Sequence, residues 1–162
     1  MQPLTVAQLL ILIVVANGTP VVAKKLFGER FAQPFDGGLR FFDGRSLFGT
    51  SKTVRGIVLS LVVTALCAPL VGLDWHVGLL VGITAMVGDL LSSFIKRRMG
   101  LESSSQAIGL DQIPESLFPM LAGGGIYGLG AVDIIAGVVV FFVGEVVASR
   151  LLYRLRLRDR PY

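Results

Sequence analysis

From Gly56 to Leu73 the chain carries no charged side chain. Four other stretches come close to this, and a helix needs about 20 mostly apolar residues to cross the hydrocarbon of a bilayer. The pattern predicts an all-α membrane protein with five transmembrane helices, over residues 4–23, 56–73, 76–95, 113–130 and 133–152. The first span is expected to break at Asn17-Gly18-Thr19-Pro20, and the fourth is short and contains Gly123-Gly124-Gly125. Composition agrees. Hydrophobic residues make up 53% of the 162 and charged residues 16%, with a mean hydropathy of +0.74. Soluble domains carry about a quarter charged residues. A chain of this length makes one integral membrane domain, residues 1–162.

The basic residues set the orientation. The connections Asp74-Trp75 and Ala131-Val132 are tight, whereas residues 24–55 and 96–112 form two long loops. All 15 Lys and Arg fall in these loops or at the C-terminal end. Positive charge beside spans stays cytoplasmic. The expected topology therefore has the N-terminus outside, the C-terminus and both long loops cytoplasmic, and the active face on the cytoplasmic side of the cell membrane. No Lys or Arg precedes the apolar run over residues 4–16, so it reads as a retained span rather than a cleaved signal. The single Cys67 excludes an intrachain disulfide, and His76 beside Trp75 suits an interfacial position. The net charge of +4 understates a strongly cationic face, which would also attract anionic lipid.

Ionisable groups inside a span are costly and point to function. Asp89, Ser93 and Lys96 share one helical face, with the carboxylate about 10 Å from the ammonium along the axis. Gly78 and Gly82 form a small-xxx-small pattern for close helix packing. Glu145 is placed to pair with a cytoplasmic base, and Asp133 suits a helix N-terminus. Asp111 enters the fourth span much as Asp89 leaves the third. Paired hard oxygens of this kind hold Mg²⁺ beside phosphates. The first loop contains Asp36-Gly37-Gly38 and Asp43-Gly44-Arg45, which are turn formers, and then Gly49-Thr50-Ser51-Lys52-Thr53-Val54-Arg55-Gly56. Backbone N–H groups at a helix start with Lys and Arg beside them make an anion site.

These strings, from Asn17-Gly18-Thr19-Pro20 through the first loop, then Gly88-Asp89, Ser93-Phe94-Ile95-Lys96-Arg97-Arg98 and Asp111-Gln112, resemble the CDP-archaeol synthase family. The resemblance implies a five-helix, Mg²⁺-dependent enzyme that transfers CMP from CTP to a membrane lipid phosphate and releases pyrophosphate. It implies CTP and a lipid phosphate as partners, and no nucleic acid. On it, Asp89, Lys96, Arg97 and Asp111 are the expected catalytic residues, with Asp89 and Asp111 on Mg²⁺. Asn17, Pro20, Asp36, Gly37, Gly38, Asp43, Gly44, Arg45, Lys52, Thr53 and Arg55 are the expected substrate-binding set. The family pattern follows Asp-Gln with an acidic residue and a phenylalanine, whereas this chain has Ile113-Pro114-Glu115. Prolines 114 and 119 are expected to kink the start of the fourth span. The acceptor stays open between an archaeal ether lipid phosphate and phosphatidic acid. Two other readings of the residues also stand: a small transporter or channel subunit, suggested by the broken first span, and a non-catalytic adaptor that binds lipid through its basic face.

Overall fold

Pro20 lies inside a helix that it ought to break. In the computed structural model, which describes residues 1–154 with side chains through Leu151, helix α1 runs uninterrupted over Pro3–Phe27. A proline removes the N–H that would bond the carbonyl four residues back, here Ala16. That carbonyl accepts instead from the Ser60 hydroxyl of the neighbouring helix at 2.7 Å, and Thr19 Oγ1 donates to Val15 O at 2.6 Å. The expected break at Asn17-Gly18-Thr19-Pro20 is therefore absent, because a donor from another helix replaces the one lost.

Helix α2 covers Val54–Cys67 and α3 covers Trp75–Arg98, joined by a 3₁₀ turn at Pro69–Val71. Helix α4 spans Gln112–Tyr127 and α5 spans Ala131–Arg154. The C-terminal arginines 154, 156, 158 and 160 lie outside the described side chains. Among the described residues no strand forms; the first loop has two isolated bridges, Pro34 with Thr53 and Arg40 with Ser46. Four helical segments are long and apolar enough to cross a membrane: Pro3–Phe27, Val54–Val71, Trp75–Arg98 and Ala131–Leu151. Helix α4, with 16 residues, extends about 24 Å against about 30 Å of hydrocarbon. Gly128 ends it in the left-handed conformation, φ 64°, which is cheap only for glycine. The kink expected from its two prolines does not interrupt it. Pro114 stands in the first turn, where its N–H is not needed, and Pro119 is buried within a continuous helix.

Helix α3 is the axis of the bundle. Of its apolar stretch 44% is buried, against 17–28% in the other three long segments. It packs on α1, α2 and α4. The Gly78/Gly82 pair makes the α2 contact as its spacing suggests: a Cβ on Gly78 would stand 2.5 Å from the Thr64 carbonyl. Leu9, Leu12 and Ile13 of α1 meet Val77 and Val81 of α3, Met120 of α4 and Phe141 of α5 in one core. Outward, Ile135, Val139, Val143 and Val147 form an exposed stripe along α5, as expected of a lipid-facing helix.

The helix ends define two levels. At one, Gln2 donates to the Tyr127 carbonyl at 3.2 Å, Asp133 accepts from the Gln2 N–H at 3.0 Å, and Gln8 donates to the Val71 carbonyl at 2.7 Å. At the other lie both long loops, residues 28–53 and 99–111. Here α4 starts well inside the bundle. Ser92 Oγ donates to the Leu110 carbonyl at 2.7 Å, and Gly88 packs against the Pro114 backbone so closely that a Cβ would strike it. Helix α3 continues about 15 Å beyond that contact. The result is a recess flanked by α3 on one side and roofed by the loops.

Ser60→Ala leaves the Ala16 carbonyl without its donor in a buried position. We expect a loss of about 1–3 kcal/mol of stability, read as a lowered midpoint of thermal unfolding in detergent.

Candidate active site

Charge in an apolar bundle must be paired, and the recess holds two ion pairs. Lys52, the residue before the α2 cap, places Nζ 2.5 Å from both Asp89 carboxylate oxygens. Lys96, on the last turns of α3, places Nζ 2.6 Å from Asp111 Oδ1 and 3.0 Å from the Ser105 carbonyl. The other Asp111 oxygen accepts from the Ala107 N–H at 2.8 Å. Glu115, in the first turn of α4 and only 8% exposed, lies within electrostatic reach of Asp89. Burial disfavours the Lys52 charge, but attraction from Asp89, then Glu115 and Asp111, outweighs it and holds the ammonium above its ordinary value. Lys52 therefore stays charged at neutral pH. Its contribution is fully present below the ordinary lysine value and is lost only as pH climbs through the raised one.

The fold dictates this convergence. Asp89 lies on the buried axis about 14 Å before the end of α3, and the recessed start of α4 brings Glu115 down to its level and Asp111 onto Lys96, nearer the end of α3. The first loop closes over them from α2: Phe35 N–H bonds the Lys52 carbonyl at 2.7 Å and Val54 N–H bonds Gln33 at 3.0 Å. That pairing fixes Lys52 beside the N-terminus of α2.

A second feature adjoins the cluster. A cavity of about 490 Å³ opens between the two loops, lined by Arg40, Gly44, Arg45, Ser46, Gly49, Thr50, Arg97, Gly100, Leu101, Glu102 and Ser103. Arg97 is buried, donates Nη2 to the Glu102 carbonyl at 2.6 Å, and leaves Nε without a partner among the described residues. It lies within electrostatic reach of Asp111. Ser103 Oγ accepts from the Ser51 N–H at 3.3 Å and joins the loops.

The structure thus brings Lys52, Asp89, Lys96 and Asp111 together and sets Gly44, Arg45 and Arg97 around the adjoining cavity. Other expected residues hold the framework. Asp36 accepts from the Gly38 and Phe48 N–H groups, both at 2.9 Å. Gly37 and Gly38 take the positive φ of that turn. Asp43 accepts from the Arg45 N–H at 3.0 Å and pairs with Arg98 at 2.5 Å. Arg45 caps the end of α3 through the Arg98 carbonyl at 2.5 Å. Thr53 caps α2 by accepting from Gly56 N–H at 3.1 Å, and Pro20 packs against Gly56. Arg55 bonds the carbonyls of Gly28 and Arg30 and lies over the Phe27 ring, at the end of α1. Asn17 Nδ2 is buried with no partner among the described residues. Sequence reasoning missed Glu115, Glu102 and Ser103. Glu115 carried a usable signal, an acid inside an apolar run.

The CarS-like family model, CDP-archaeol synthase, matches residues 4–162. The chain belongs to the CDP-archaeol synthase family. The CDP-archaeol synthase of Sulfurisphaera tokodaii is 32% identical over 154 residues, covering 91% of this chain and 89% of that one. The enzyme of that name from Hyperthermus butylicus is 35% identical over 161 residues, with the same two coverages. A solved structure described as an intramembrane enzyme for archaeal membrane lipids biosynthesis is also similar. It has a TM-score of 0.75 and 28% identity, and the match covers 87% of this chain and 90% of that one. The resemblance read from the loop motifs is thereby shown along nearly the whole chain.

Lys96→Met leaves Asp111 without its ammonium in a largely buried site. We expect a loss of about 3 kcal/mol, and we expect the double variant Lys96→Met with Asp111→Leu to recover part of it. A double-mutant cycle on unfolding free energy checks both.

Proposed function

We propose that the recess catalyses transfer of CMP from CTP to an archaeal lipid phosphate, giving a CDP-activated lipid and pyrophosphate. Family membership along the chain supports the reaction, and the two ion pairs at the mouth of an apolar bundle are the observation that carries the site. A lipid phosphate sits at the membrane surface while CTP arrives from water. The site must therefore lie where a recess meets that surface, and a recess at the loop end of the bundle suits this.

In the reaction a lipid phosphate oxygen attacks the α-phosphorus of CTP. The bond from that phosphorus to the oxygen of the β-phosphate breaks, and pyrophosphate leaves with its electron pair. No protein nucleophile is needed. The protein's task is to position two anions and stabilise charge as it develops. Lys52 and Lys96 are the ammoniums nearest the reacting phosphorus in this reading. Arg97, with its unpartnered Nε, and Arg45 face the remaining phosphates from the adjoining cavity.

Mg²⁺ fits the residues present. Asp89 and Asp111 offer hard oxygens, with Glu115 beside Asp89. Mg²⁺ typically takes one or two carboxylates and fills its shell with phosphate oxygens and water. A protein cage of three ligands is not required, and none occurs among the described residues. When bound, the ion would neutralise charge on the triphosphate. Asp89 and Asp111 would hold it, releasing Lys52 and Lys96 toward the phosphates.

The same reading takes all five helices as membrane-spanning, with the N-terminus outside and the loops cytoplasmic. Helix α4 starts at the recess, well inside the bundle, and ends at the level of the Gln2 and Tyr127 contacts. The basic residues, Lys24 to Arg55 in the first loop and Lys96 to Arg98 at the end of α3, collect at one level.

The test is transfer of labelled CMP from CTP to a di-geranylgeranyl ether lipid phosphate by purified protein, with phosphatidic acid as the competing acceptor. Absence of transfer to both overturns the assignment. Asp89→Asn is expected to lower turnover by at least about a hundredfold while the protein stays folded, and to abolish the response to Mg²⁺ titration. Arg97→Ala is expected to raise KM for CTP by about tenfold, the loss of one charge-assisted hydrogen bond, with KM for the lipid unchanged.

A further inference from the structure

The first loop exposes more apolar surface than a water-facing loop should. Phe42 is 100% exposed, Phe31 79% and Leu39 64%. Phe31 also holds φ 57°, a conformation that bulky residues avoid, so that its ring stands clear of the chain. Lys24, Lys25, Arg30 and Arg40, in the same stretch of chain, are exposed as well, Arg40 at the rim of the cavity between the loops.

Their depth can be worked out. Helix α1 has 25 residues and α3 has 24, or about 36–37 Å each. Hydrocarbon is about 30 Å thick, and about 40–45 Å with headgroups. The last turns of both helices therefore stand among the headgroups. Phe31 follows the end of α1 by one turn's worth of chain. The 40–46 hairpin does not project beyond α3 but lies along its side. Phe41 packs on Phe94 at 5.4 Å, one turn before the end of α3, and Arg98 stacks on Phe41 at 4.8 Å. Phe42, its ring 5.1 Å from Phe41, extends outward from the hairpin at the same depth.

We propose that the first loop is an interfacial anchor: Phe31, Leu39 and Phe42 insert at the headgroup–acyl boundary of the membrane the helices cross, while Lys24, Lys25, Arg30 and Arg40 bind anionic headgroups. Aromatic rings favour that boundary, and basic side chains beside inserted apolar ones add attraction to anionic lipid. The anchor holds the roof of the recess against the bilayer surface. It is independent of the chemistry proposed for the recess.

Trp75 is the chain's single tryptophan, so Phe42→Trp in a Trp75→Phe background gives one reporter at a fully exposed side chain. The full chain is reconstituted in phosphatidylcholine vesicles with and without phosphatidylglycerol, using lipids brominated near the glycerol end of the acyl chain. The expected result is blue-shifted emission, strong quenching by brominated lipid, and deeper quenching with phosphatidylglycerol that added salt reverses. Phe31→Trp in the same background is expected to behave alike. Water-like emission, quenched by aqueous acrylamide and indifferent to lipid composition, overturns the proposal. Shielding that rises with the protein-to-lipid ratio also overturns it, by showing that a second copy covers the face.

Discussion

The close approach of α3 and α4 at Gly88 governs the rest of the structure. With no side chain at that position, the Pro114 backbone comes down onto α3 in the middle of its length. That contact fixes where α4 begins, and so places Glu115 at the level of Asp89 and Asp111 against Lys96 rather than at the protein surface. A larger residue at 88 would push α4 outward and separate the acids. The two lysines follow from the same contact. Three carboxyl groups held so near each other in an apolar bundle require cations within reach, and Lys52 and Lys96 supply them from different segments. Packing and electrostatics thus depend on one another: a steric allowance creates the cluster, and the ion pairs then tie the first loop and the end of α3 around it.

Much of this is readable from the amino-acid order. Apolar runs and the gathering of basic residues give the helices and their common charged end. Asp89, Lys96, Asp111 and Lys52 stand out because charge inside or beside an apolar run has a high cost and needs a purpose. What could not be read is tertiary. Local rules break α1 at Pro20, and only knowledge of Ser60 across the interface keeps it whole. Hydropathy extends the fourth span past Gly128, since an average over a window does not register a left-handed glycine. The Asp-Gly turns are visible as turns, but not that their carboxylates fold back on the N–H groups of Gly38, Phe48 and Arg45. Glu115 was visible as an acid inside an apolar run, but that it joins Asp89 depends on the α3–α4 contact, which no local pattern shows.

The division of labour among basic residues follows from the same geometry. Arg45, Arg55 and Arg98 have guanidinium groups engaged with main-chain carbonyls, aromatic faces or Asp43. Planar, multi-donor guanidinium suits that framework role better than an ammonium. The lysines, compact point charges on flexible stems, sit on the carboxylates. Arg97 stands between the two groups, buried like a framework residue yet lining the cavity beside the ion pairs.

The short α4 has a consequence for the bilayer itself. Three long segments exceed the hydrocarbon and Val54–Val71 comes within about 3 Å of it, whereas α4 falls about 6 Å short. Ile113, Leu121 and Ile126 face outward along α4. Lipids beside that face meet a hydrophobic surface thinner than their own chains. Local thinning of the bilayer is one way to relieve such a mismatch, and thinning on the loop side would bring neighbouring phosphates toward Asp111. A mismatched helix would then deliver the acceptor by deforming the membrane, without a dedicated channel.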